Sequence, residues 1–375
     1  MPLSRSQTRS RVVAAVVVSL ATFVTPALAG TTPTIVTSER VFVDASRTTR
    51  ANNTFPGAPD RTLRVRLWYP ADCVADDRCP PYPLLLMAHG FGGLPEKFDA
   101  LATFIASDGY VVAAPAFPLT NQNAPGGHIS GFSDVEEQPQ DLFFVLGELS
   151  AASQAPGDEL EGLLDAAQTV ALGHSLGGLT VLAWAHTDCC GQAPLRGVIL
   201  VSSLSASNPF GANPIDTGPP TMIIHGTSDA LIPFTLAEPL LETLPRPRAL
   251  VGVQGSGHSE LLESQAEPPI PARDATQRAI VAFLDGLLRH DRSAFDGTLD
   301  ELAAEGHIVI QPSCAGDCED DGTVSIVDVV LSVRVALGDA PLEDCRPVDD
   351  DESSDVAVTE LITAVANLLA GECPL

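Results

Sequence analysis

The chain has 375 residues and a formal net charge of −28, with 20 lysines and arginines against 48 aspartates and glutamates. Apolar residues make up 45% of it, which excludes an intrinsically disordered chain and leaves enough material for one large domain with a smaller one. So negative a chain repels nucleic acid and anionic membrane surfaces, and neither is expected as a partner.

The N-terminus has the pattern of a secretory signal peptide. Arg5, Arg9 and Arg11 precede an apolar run at residues 12–24, and the small-residue site Ala27-Leu28-Ala29 follows. This order predicts cleavage after residue 29 and a secreted protein, extracellular or periplasmic. A retained N-terminal anchor is the alternative, because the apolar run is nearly long enough to span a bilayer. The mature chain is predicted to have no membrane span.

The eight cysteines all come after that site, in a compartment that favours disulfides over metal binding by thiols. Four lie before residue 200 and four after residue 310: Cys73, Cys79, Cys189, Cys190, Cys314, Cys318, Cys345 and Cys373. The preferred pair is Cys73–Cys79, which would close a short loop between two strand-like runs. That choice leaves the neighbours Cys189 and Cys190 to form a vicinal bridge.

From Leu63 onward, short β-rich runs alternate with helix-length stretches. Strands are predicted at Leu63–Tyr69, Leu84–Ala88, Val111–Ala114, Val170–Leu172, Val198–Val201, Met222–His225 and Ala249–Val253. Helices are predicted at Glu96–Ser107, Val135–Leu149, Leu176–His186 and Ala275–Leu288. Continuously apolar strands that alternate with helices indicate an α/β fold, with a mostly parallel sheet and helices on both faces.

The run Gly173-His174-Ser175-Leu176-Gly177 lies between a predicted strand and a predicted helix. In that setting the glycine–x–serine–x–glycine pattern forms a tight turn that exposes the serine hydroxyl. The glycines are needed because neighbouring backbone passes close to the turn. The hydroxyl then lies at a helix N-terminus, which favours developing negative charge. Ser175 is therefore the predicted nucleophile.

A glycine-rich turn, His89-Gly90-Phe91-Gly92-Gly93, follows the predicted strand at 84–88. Backbone N–H groups in such a turn can point at a substrate oxygen. We expect the N–H groups of Phe91 and Leu176 to form an oxyanion hole, which stabilises the transition state.

Two later strands end in polar turns that carry the remaining candidates. Asp229 and His258 each follow a predicted strand, and the carboxyl ends of parallel strands share one edge of the sheet. The chain order serine, acid, histidine predicts that His258 is the base and that Asp229 orients and stabilises its imidazole. Asp216 is the alternative acid, although no strand precedes it. Three other histidines are predicted to be structural: His89, His174 and His225.

Residues from about 40 to 300 resemble the α/β-hydrolase superfamily. Two runs, Pro83–Gly93 (PLLLMAHGFGG) and Ile105–Pro115 (IASDGYVVAAP), resemble a branch of secreted esterases similar to dienelactone hydrolase, platelet-activating-factor acetylhydrolase and polyester hydrolases. The resemblance implies an α/β-hydrolase fold for a catalytic domain at residues 30–306. It also implies a serine carboxylic-ester hydrolase that acts through an acyl-enzyme on small, lipid-like or polymeric esters, with no cofactor for catalysis.

This chain departs from the family patterns at two points. True dienelactone hydrolases have a cysteine nucleophile where this chain has Ser175, so that activity is not expected. Polyester hydrolases usually have an oxyanion turn other than His-Gly-Phe-Gly-Gly, which leaves polymer cleavage open. An acyltransferase of the same fold is an alternative, because nothing in the motifs excludes it.

The composition changes after about residue 305. Residues 311–375 carry 15 acidic residues, two basic residues and four cysteines. So small a unit depends on more than its hydrophobic core for stability. We expect a linker and a separate module over residues 307–375.

A twelve-residue calcium loop is predicted from residue 317 to residue 328. Such loops supply oxygen ligands at positions 1, 3, 5 and 12, a backbone carbonyl at position 7, and glycine at position 6. The ligands are then Asp317, Glu319, Asp321, Asp328 and the carbonyl of Thr323, with Gly322 at the turn. A helix is predicted to follow at Val329–Leu337.

A second copy of this pattern runs from residue 349 to residue 360, before a predicted helix at Leu361–Leu369. Its ligands at positions 1, 3, 5, 7 and 12 are Asp349, Asp351, Ser353, Asp355 and Glu360. Ser354 replaces the turn glycine and a serine hydroxyl is a weak ligand, so this loop is expected to bind calcium less well.

Two such loop–helix units, each after a cysteine-bearing segment, resemble a dockerin domain, a small all-α calcium-binding module. The resemblance implies calcium-dependent folding and docking to a cohesin-like partner. One alternative is an acidic, disulfide-linked tail that only keeps the enzyme soluble. Another is that the whole chain acts as a docked adhesion component with incidental hydrolysis.

Overall fold

The computed structural model describes residues 33–75, 78–127, 134–190, 195–204, 218–245, 248–262, 270–313, 316–318, 324–349 and 356–370. The predicted signal peptide at residues 1–29 and the alternative acid Asp216 lie outside the described residues. Within the described ranges, no helix is long and apolar enough to cross a membrane.

A nine-stranded sheet forms the centre of the described structure, in the order β1-β2-β4-β3-β5-β6-β7-β8-β9. The strands are β1 (Ile35–Asp44), β2 (Arg61–Pro70), β3 (Tyr82–Ala88), β4 (Val111–Ala116), β5 (Leu164–His174), β6 (Leu195–Val201), β7 (Thr221–Gly226), β8 (Arg248–Val253) and β9 (Ile308–Ser313). Strands β3 to β8 run parallel to one another, and β1, β2 and β9 pair antiparallel with their neighbours. The sheet is therefore mostly parallel, as predicted.

The helices cover both faces of this sheet. They are α1 (Asp99–Ser107), α2 (Gln138–Gln154), α3 (Leu176–His186), α4 (Ala237–Glu242), α5 (Ile270–Leu288) and α6 (Arg292–Ala304), followed by α7 (Ile326–Ala336) and α8 (Val358–Ala370) near the C-terminus. Helices α2, α3 and α4 contribute to one core and α1, α5 and α6 to the other. Side chains alternate along a strand, so in β3 Leu84 and Leu86 join the first core while Leu85 and Met87 join the second.

All seven predicted strands are present, and each predicted helix of the α/β part overlaps an observed one. The outermost strands β1 and β9 were not predicted. Strand β9 pairs with β8 in residues that the sequence assigned to the start of the linker. The sheet thus extends past the expected end of the catalytic domain.

Three disulfides lie within the described residues. Cys73–Cys79 is present as predicted, and Cys189 and Cys190 form the vicinal bridge that this pairing leaves. Near the C-terminus Cys318 is bonded to Cys345. The remaining two cysteines, Cys314 and Cys373, lie outside the described residues.

A buried ionic cluster holds the start of α2 against the start of β2. Arg61 Nε donates to Asp141 Oδ1 at 2.6 Å, and its Nη1 donates to Asp134 Oδ1 at 2.8 Å. All three side chains are 0% exposed. An unpaired charge at this depth would be strongly destabilising, so the three groups depend on one another. The cluster fixes the beginning of α2, where Gln138 lies.

Candidate active site

The predicted nucleophile lies in a strained turn between β5 and α3. Ser175 has φ 54° and ψ −119°, a conformation that side-chain-bearing residues rarely adopt. Its N–H donates to Val201 O at 2.9 Å and its carbonyl accepts from Gly178 N at 3.0 Å. These bonds hold the strained residue between the end of β6 and the first turn of α3.

The glycines on either side of Ser175 are required because a side chain would not fit at either position. A Cβ on Gly173 would lie 2.2 Å from Gly177 O, and a Cβ on Gly177 would lie 2.2 Å from Ala88 O. A Cβ on Gly90 would lie 3.5 Å from Ser175 Oγ. The end of β3, the oxyanion turn and the nucleophile turn therefore pack backbone against backbone, as the motif predicts.

The turn that carries Phe91 has its peptide groups fixed from both sides. Gly90 O lies 2.7 Å from His89 Nδ1 and accepts from Gly93 N at 3.0 Å. In a trans peptide the N–H points away from the carbonyl, so the Phe91 N–H is directed opposite to Gly90 O. Gly92 N donates to Thr120 O at 2.7 Å. The Phe91 side chain is 52% exposed.

The second predicted donor, the N–H of Leu176, belongs to the first residue of α3. The first N–H groups of a helix have no intrahelical acceptor, and the helix dipole adds positive potential there. An anionic oxygen next to Ser175 would be stabilised by this end of the helix.

The structure brings the predicted acid and base together. His258 Nδ1 is 2.7 Å from Asp229 Oδ2, and the carboxylate side chain is 0% exposed. Asp229 Oδ1 accepts from the backbone N–H groups of Leu231 and Ile232 at 2.9 and 2.8 Å. Burial alone would raise the pKa of Asp229, but these bonds and the His258 imidazole hold it below its usual value. A charged Asp229 is therefore available to orient the imidazole.

The turns that carry Asp229 and His258 are bonded to each other and to the nucleophile turn. Ser228 N donates to Ser256 O at 2.9 Å, and a Cβ on Gly226 would lie 2.4 Å from that same carbonyl oxygen. His174, next to Ser175 in the chain, has Nε2 2.9 Å from His258 O. His174 thus links the nucleophile turn to the histidine turn.

No known protein-family profile matches this chain, and no curated protein is significantly similar to it in sequence. Among solved structures, it is similar to the ferulic acid esterase from Streptomyces cinnamoneus, with a TM-score of 0.51 and 22% identity. The similarity covers 71% of this chain and 93% of that one. The fold is of the α/β-hydrolase type. At this identity the similarity establishes the α/β-hydrolase fold and not the activity.

Three histidines around the candidate site have structural hydrogen bonds, as the sequence predicts. His89 Nε2 accepts from Phe117 N at 3.0 Å, so the ring proton is assigned to Nδ1, which faces Gly90 O. His225 Nε2 is 2.8 Å from Ile232 O. His174 Nε2 is 2.9 Å from the His258 carbonyl oxygen.

Two buried histidines, His89 and His186, have strongly lowered pKa values. Burial lowers the pKa of each to about 4, because the charged imidazolium is poorly solvated there. His186 Nε2 is 2.9 Å from the hydroxyl of Thr221. Both histidines are therefore neutral in the folded protein at neutral pH.

Acidification is expected to destabilise the fold through these histidines. An unfolded histidine has a pKa of about 6.5, so below that pH the unfolded state binds more protons. The contribution of each neutral histidine is complete above pH 6.5 and is lost as the pH falls toward 4. At pH 5 the loss is about 2 kcal/mol per histidine.

Urea unfolding of His186→Gln between pH 7 and pH 5 tests this expectation. The glutamine amide still donates to Thr221 but does not titrate, so the free energy of unfolding should depend less on pH than in the wild type. His290→Asn, at an exposed histidine with φ 57°, is the control and should keep the wild-type dependence. An equal pH dependence in wild type and His186→Gln would contradict the assignment.

Four of the predicted calcium ligands lie within the described residues. Asp317, Asp328, Asp349 and Glu360 are at positions 1 and 12 of the two loops and are all buried. The other predicted ligands lie outside the described residues: Glu319, Asp321, Thr323, Asp351, Ser353 and Asp355. The predicted helices after both loops are present as α7 and α8, each beginning three residues earlier than expected.

The carboxylates at position 12 make equivalent hydrogen bonds in the two loops. Asp328 Oδ2 accepts from Ser325 N at 2.8 Å, and Glu360 Oε2 accepts from Ala357 N at 2.6 Å. Each carboxylate therefore caps the helix that follows its loop. Asp328 Oδ1 also accepts from Cys318 N at 3.1 Å, so the first loop closes end to end.

Proposed function

We propose that the protein is a secreted serine carboxylic-ester hydrolase. The observation that carries the proposal is the position of Ser175, at positive φ and at the N-terminus of α3. His174 joins this turn to the turn that carries His258, and His258 is paired with Asp229. Nucleophilic catalysis needs a strained serine together with an imidazole–carboxylate pair, and here the turns that carry them are bonded to each other.

The reaction starts when Ser175 Oγ attacks the ester carbonyl carbon. His258 Nε2 takes the hydroxyl proton, while Asp229 holds the proton on Nδ1 and stabilises the imidazolium. The carbonyl oxygen becomes an oxyanion bonded by the N–H groups of Phe91 and Leu176. Collapse of this intermediate breaks the ester bond, and His258 returns the proton to the leaving alcohol.

The acyl-enzyme is then hydrolysed in the reverse sense. Water loses a proton to His258 Nε2 as its oxygen attacks the acyl carbon. The second oxyanion collapses, the acid leaves and Ser175 recovers its proton. No cofactor takes part in these steps.

The ester class is tested with a panel of substrates. It contains short-chain and long-chain p-nitrophenyl esters, a phospholipid, a polyester film and methyl ferulate, the last because the structural neighbour is a ferulic acid esterase. We expect Ser175-dependent hydrolysis of at least the short-chain esters. Adding an alcohol acceptor separates the alternative: a dominant ester product would indicate an acyltransferase, and a dominant free acid supports the hydrolase.

We also propose that the C-terminal module binds calcium through the two predicted loops. The support is the burial of Asp317, Asp328, Asp349 and Glu360, which are 0%, 4%, 5% and 6% exposed. These carboxylates stand at the first and last ligand positions of the two twelve-residue patterns, and Ca²⁺ prefers carboxylate and carbonyl oxygens. In each loop the carboxylates at positions 1 and 12 would hold the ion, together with the predicted ligands between them.

Calcium titration of the full chain by isothermal calorimetry is expected to show two sites, the first tighter than the second. Asp317→Asn should remove the tighter site and Asp349→Asn the weaker one, because each loses a charged ligand. Asp339→Asn, an exposed acid outside both loops, is the control and should keep both sites. No binding heat at millimolar calcium would contradict the proposal.

A cohesin-like partner is proposed for the outer surface of α7 and α8. Exposed apolar residues recur at the same spacing along α7 with its C-cap residue and along α8: Ile326, Val330, Val333 and Leu337, then Val358, Ile362, Val365 and Leu369. The second set lies 32 residues after the first, which matches the repeat of the calcium loops. Exposed apolar surface of this kind indicates a protein contact.

Binding of the full chain to cohesin domains immobilised on a sensor tests this partner. The double variant Val330→Asp, Ile362→Asp should lose binding while it keeps the calcium stoichiometry. Binding of the wild type that the double variant retains would contradict the assigned surface. If no cohesin binds, the acidic tail that only keeps the enzyme soluble is favoured.

A further inference from the structure

A chain of buried hydrogen bonds connects α3 to the oxyanion turn through the first residue of α2. Thr180 Oγ1, in α3, donates to Gln138 Oε1 at 2.6 Å. Gln138 Nε2 donates to Thr120 Oγ1 at 2.7 Å, and Thr120 O accepts from Gly92 N at 2.7 Å. Both ends of the Gln138 amide are therefore bonded.

The three side chains of this buried chain are inaccessible to solvent. Thr180 and Gln138 are 0% exposed and Thr120 is 1% exposed. A buried amide is costly when it lacks partners, so its position is set strongly by the groups that satisfy it. The ionic cluster of Arg61, Asp134 and Asp141 holds the same end of α2 in place.

The buried chain ends at the elements that carry both proposed oxyanion donors. At one end, Gly92 follows Phe91, so the bond to Thr120 O fixes the peptide after the first donor. At the other end, Thr180 lies one turn after Leu176, and its hydroxyl is also 3.3 Å from Leu176 O. The distance between the two donors is set by how α3 and the oxyanion turn are held relative to each other.

We propose that Gln138 is a positioning residue that sets the geometry of the oxyanion hole. Its side chain is fully buried and therefore not available to contact a substrate. It acts through Thr120 on the Phe91 peptide and through Thr180 on the first turn of α3. This inference rests on the proposed esterase function, because an oxyanion hole has a role only in acyl transfer. Errors of about 1 Å in such a site are enough to slow the reaction about 100-fold.

The test compares variants that break this buried chain with variants that keep it. Gln138→Met keeps the length of the side chain but forms neither hydrogen bond, and Thr120→Val removes one hydroxyl with little change in shape. Thr120→Ser keeps the hydroxyl. Gln154→Met is the control, because Gln154 lies in the same helix and donates to Ser150 Oγ on the exposed surface.

Three quantities are measured for each variant: kcat and KM for p-nitrophenyl acetate, the inhibition constant of an aryl trifluoromethyl ketone, and the thermal unfolding midpoint. The ketone adds to a catalytic serine and forms an oxyanion in the hole. For Gln138→Met and Thr120→Val we expect kcat to fall on the order of 10- to 100-fold and ketone affinity to fall in parallel, with little change in KM. Thr120→Ser and Gln154→Met should stay near the wild type.

Each outcome has one interpretation. Loss of stability with kcat and ketone affinity unchanged would show that Gln138 is only structural, and a fall in kcat with unchanged ketone affinity would also overturn the inference. The double variant Gln138→Met, Thr120→Val should have a kcat and a ketone affinity no lower than those of the more damaging single variant, because both substitutions break the same connection. If Gln138→Met does not fold, the kcat and ketone affinity of Thr120→Val alone test the proposal. Activity that survives in Ser175→Ala refutes the esterase itself, a result independent of Gln138.

Discussion

Replacing Ser175 with alanine is expected to lower kcat for p-nitrophenyl acetate by about 10⁴- to 10⁶-fold. The variant loses the atom that would form the acyl-enzyme. Water must then attack the ester directly, and only the oxyanion hole and substrate binding accelerate that reaction. Because alanine is smaller and its methyl group needs no partner, the turn between β5 and α3 should keep its shape. KM should therefore change little.

The measurement is initial-rate kinetics on purified protein, with unfolding followed in parallel. Ser107→Ala, at a hydroxyl that caps the end of α1 by donating to Phe104 O at 2.6 Å, is the matched control and should retain wild-type kcat. A rate for Ser175→Ala within about tenfold of the wild type, in a folded protein, is incompatible with a serine nucleophile at this position.

Replacing Asp229 with asparagine is expected to lower kcat by about 10³- to 10⁴-fold. In the proposed mechanism, His258 donates its Nδ1 proton to Asp229 Oδ2, and its Nε2 accepts the proton of Ser175. The asparagine carbonyl would keep the bonds from Leu231 and Ile232, so its amide would face His258. It would donate to Nδ1 and leave the ring proton on Nε2, the wrong tautomer for a base.

A second substitution separates this effect from a general loss of structure. His258→Ala removes the base, so adding Asp229→Asn to it should cost little more if Asp229 acts through the imidazole. If the two losses of kcat multiply in the double variant, Asp229 acts through a group other than His258. Asp229→Asn with kcat near the wild type would exclude it as the acid of the triad.

The parallel core of the sheet could be predicted because its strands are apolar on both faces. In β3 every residue from Leu84 to Ala88 is fully buried, and such runs between helical stretches leave few alternatives. Strand β1 is different because it lies at the antiparallel edge, where partly buried and exposed residues alternate. Strand β9 could not be predicted because its pairing with β8 depends on residues far away in the sequence.

The arrangement of the candidate site could be predicted as far as its residues follow strands directly. The turns that hold Phe91, Ser175, Asp229 and His258 come after β3, β5, β7 and β8, and the parallel topology brings these ends to one edge. The residues that hold these turns in place could not be predicted in the same way. Gln138 is separated from Thr120 by 18 residues and from Thr180 by 42. Thr180 stands out as a polar residue inside an apolar helical stretch, but Gln138 lies in the polar run at residues 136–141 and nothing local marks it.

The acyl-enzyme is the most direct test of the central claim that Ser175 carries the substrate as a covalent ester. Wild-type protein is mixed briefly with p-nitrophenyl acetate, quenched in acid, digested and examined by mass spectrometry. We expect the peptide containing Ser175 to gain the mass of one acetyl group, on that serine, in wild type and not in Ser175→Ala. Hydrolysis without any acetylated Ser175, or acetyl groups on another residue that turns over at the rate of catalysis, would contradict it.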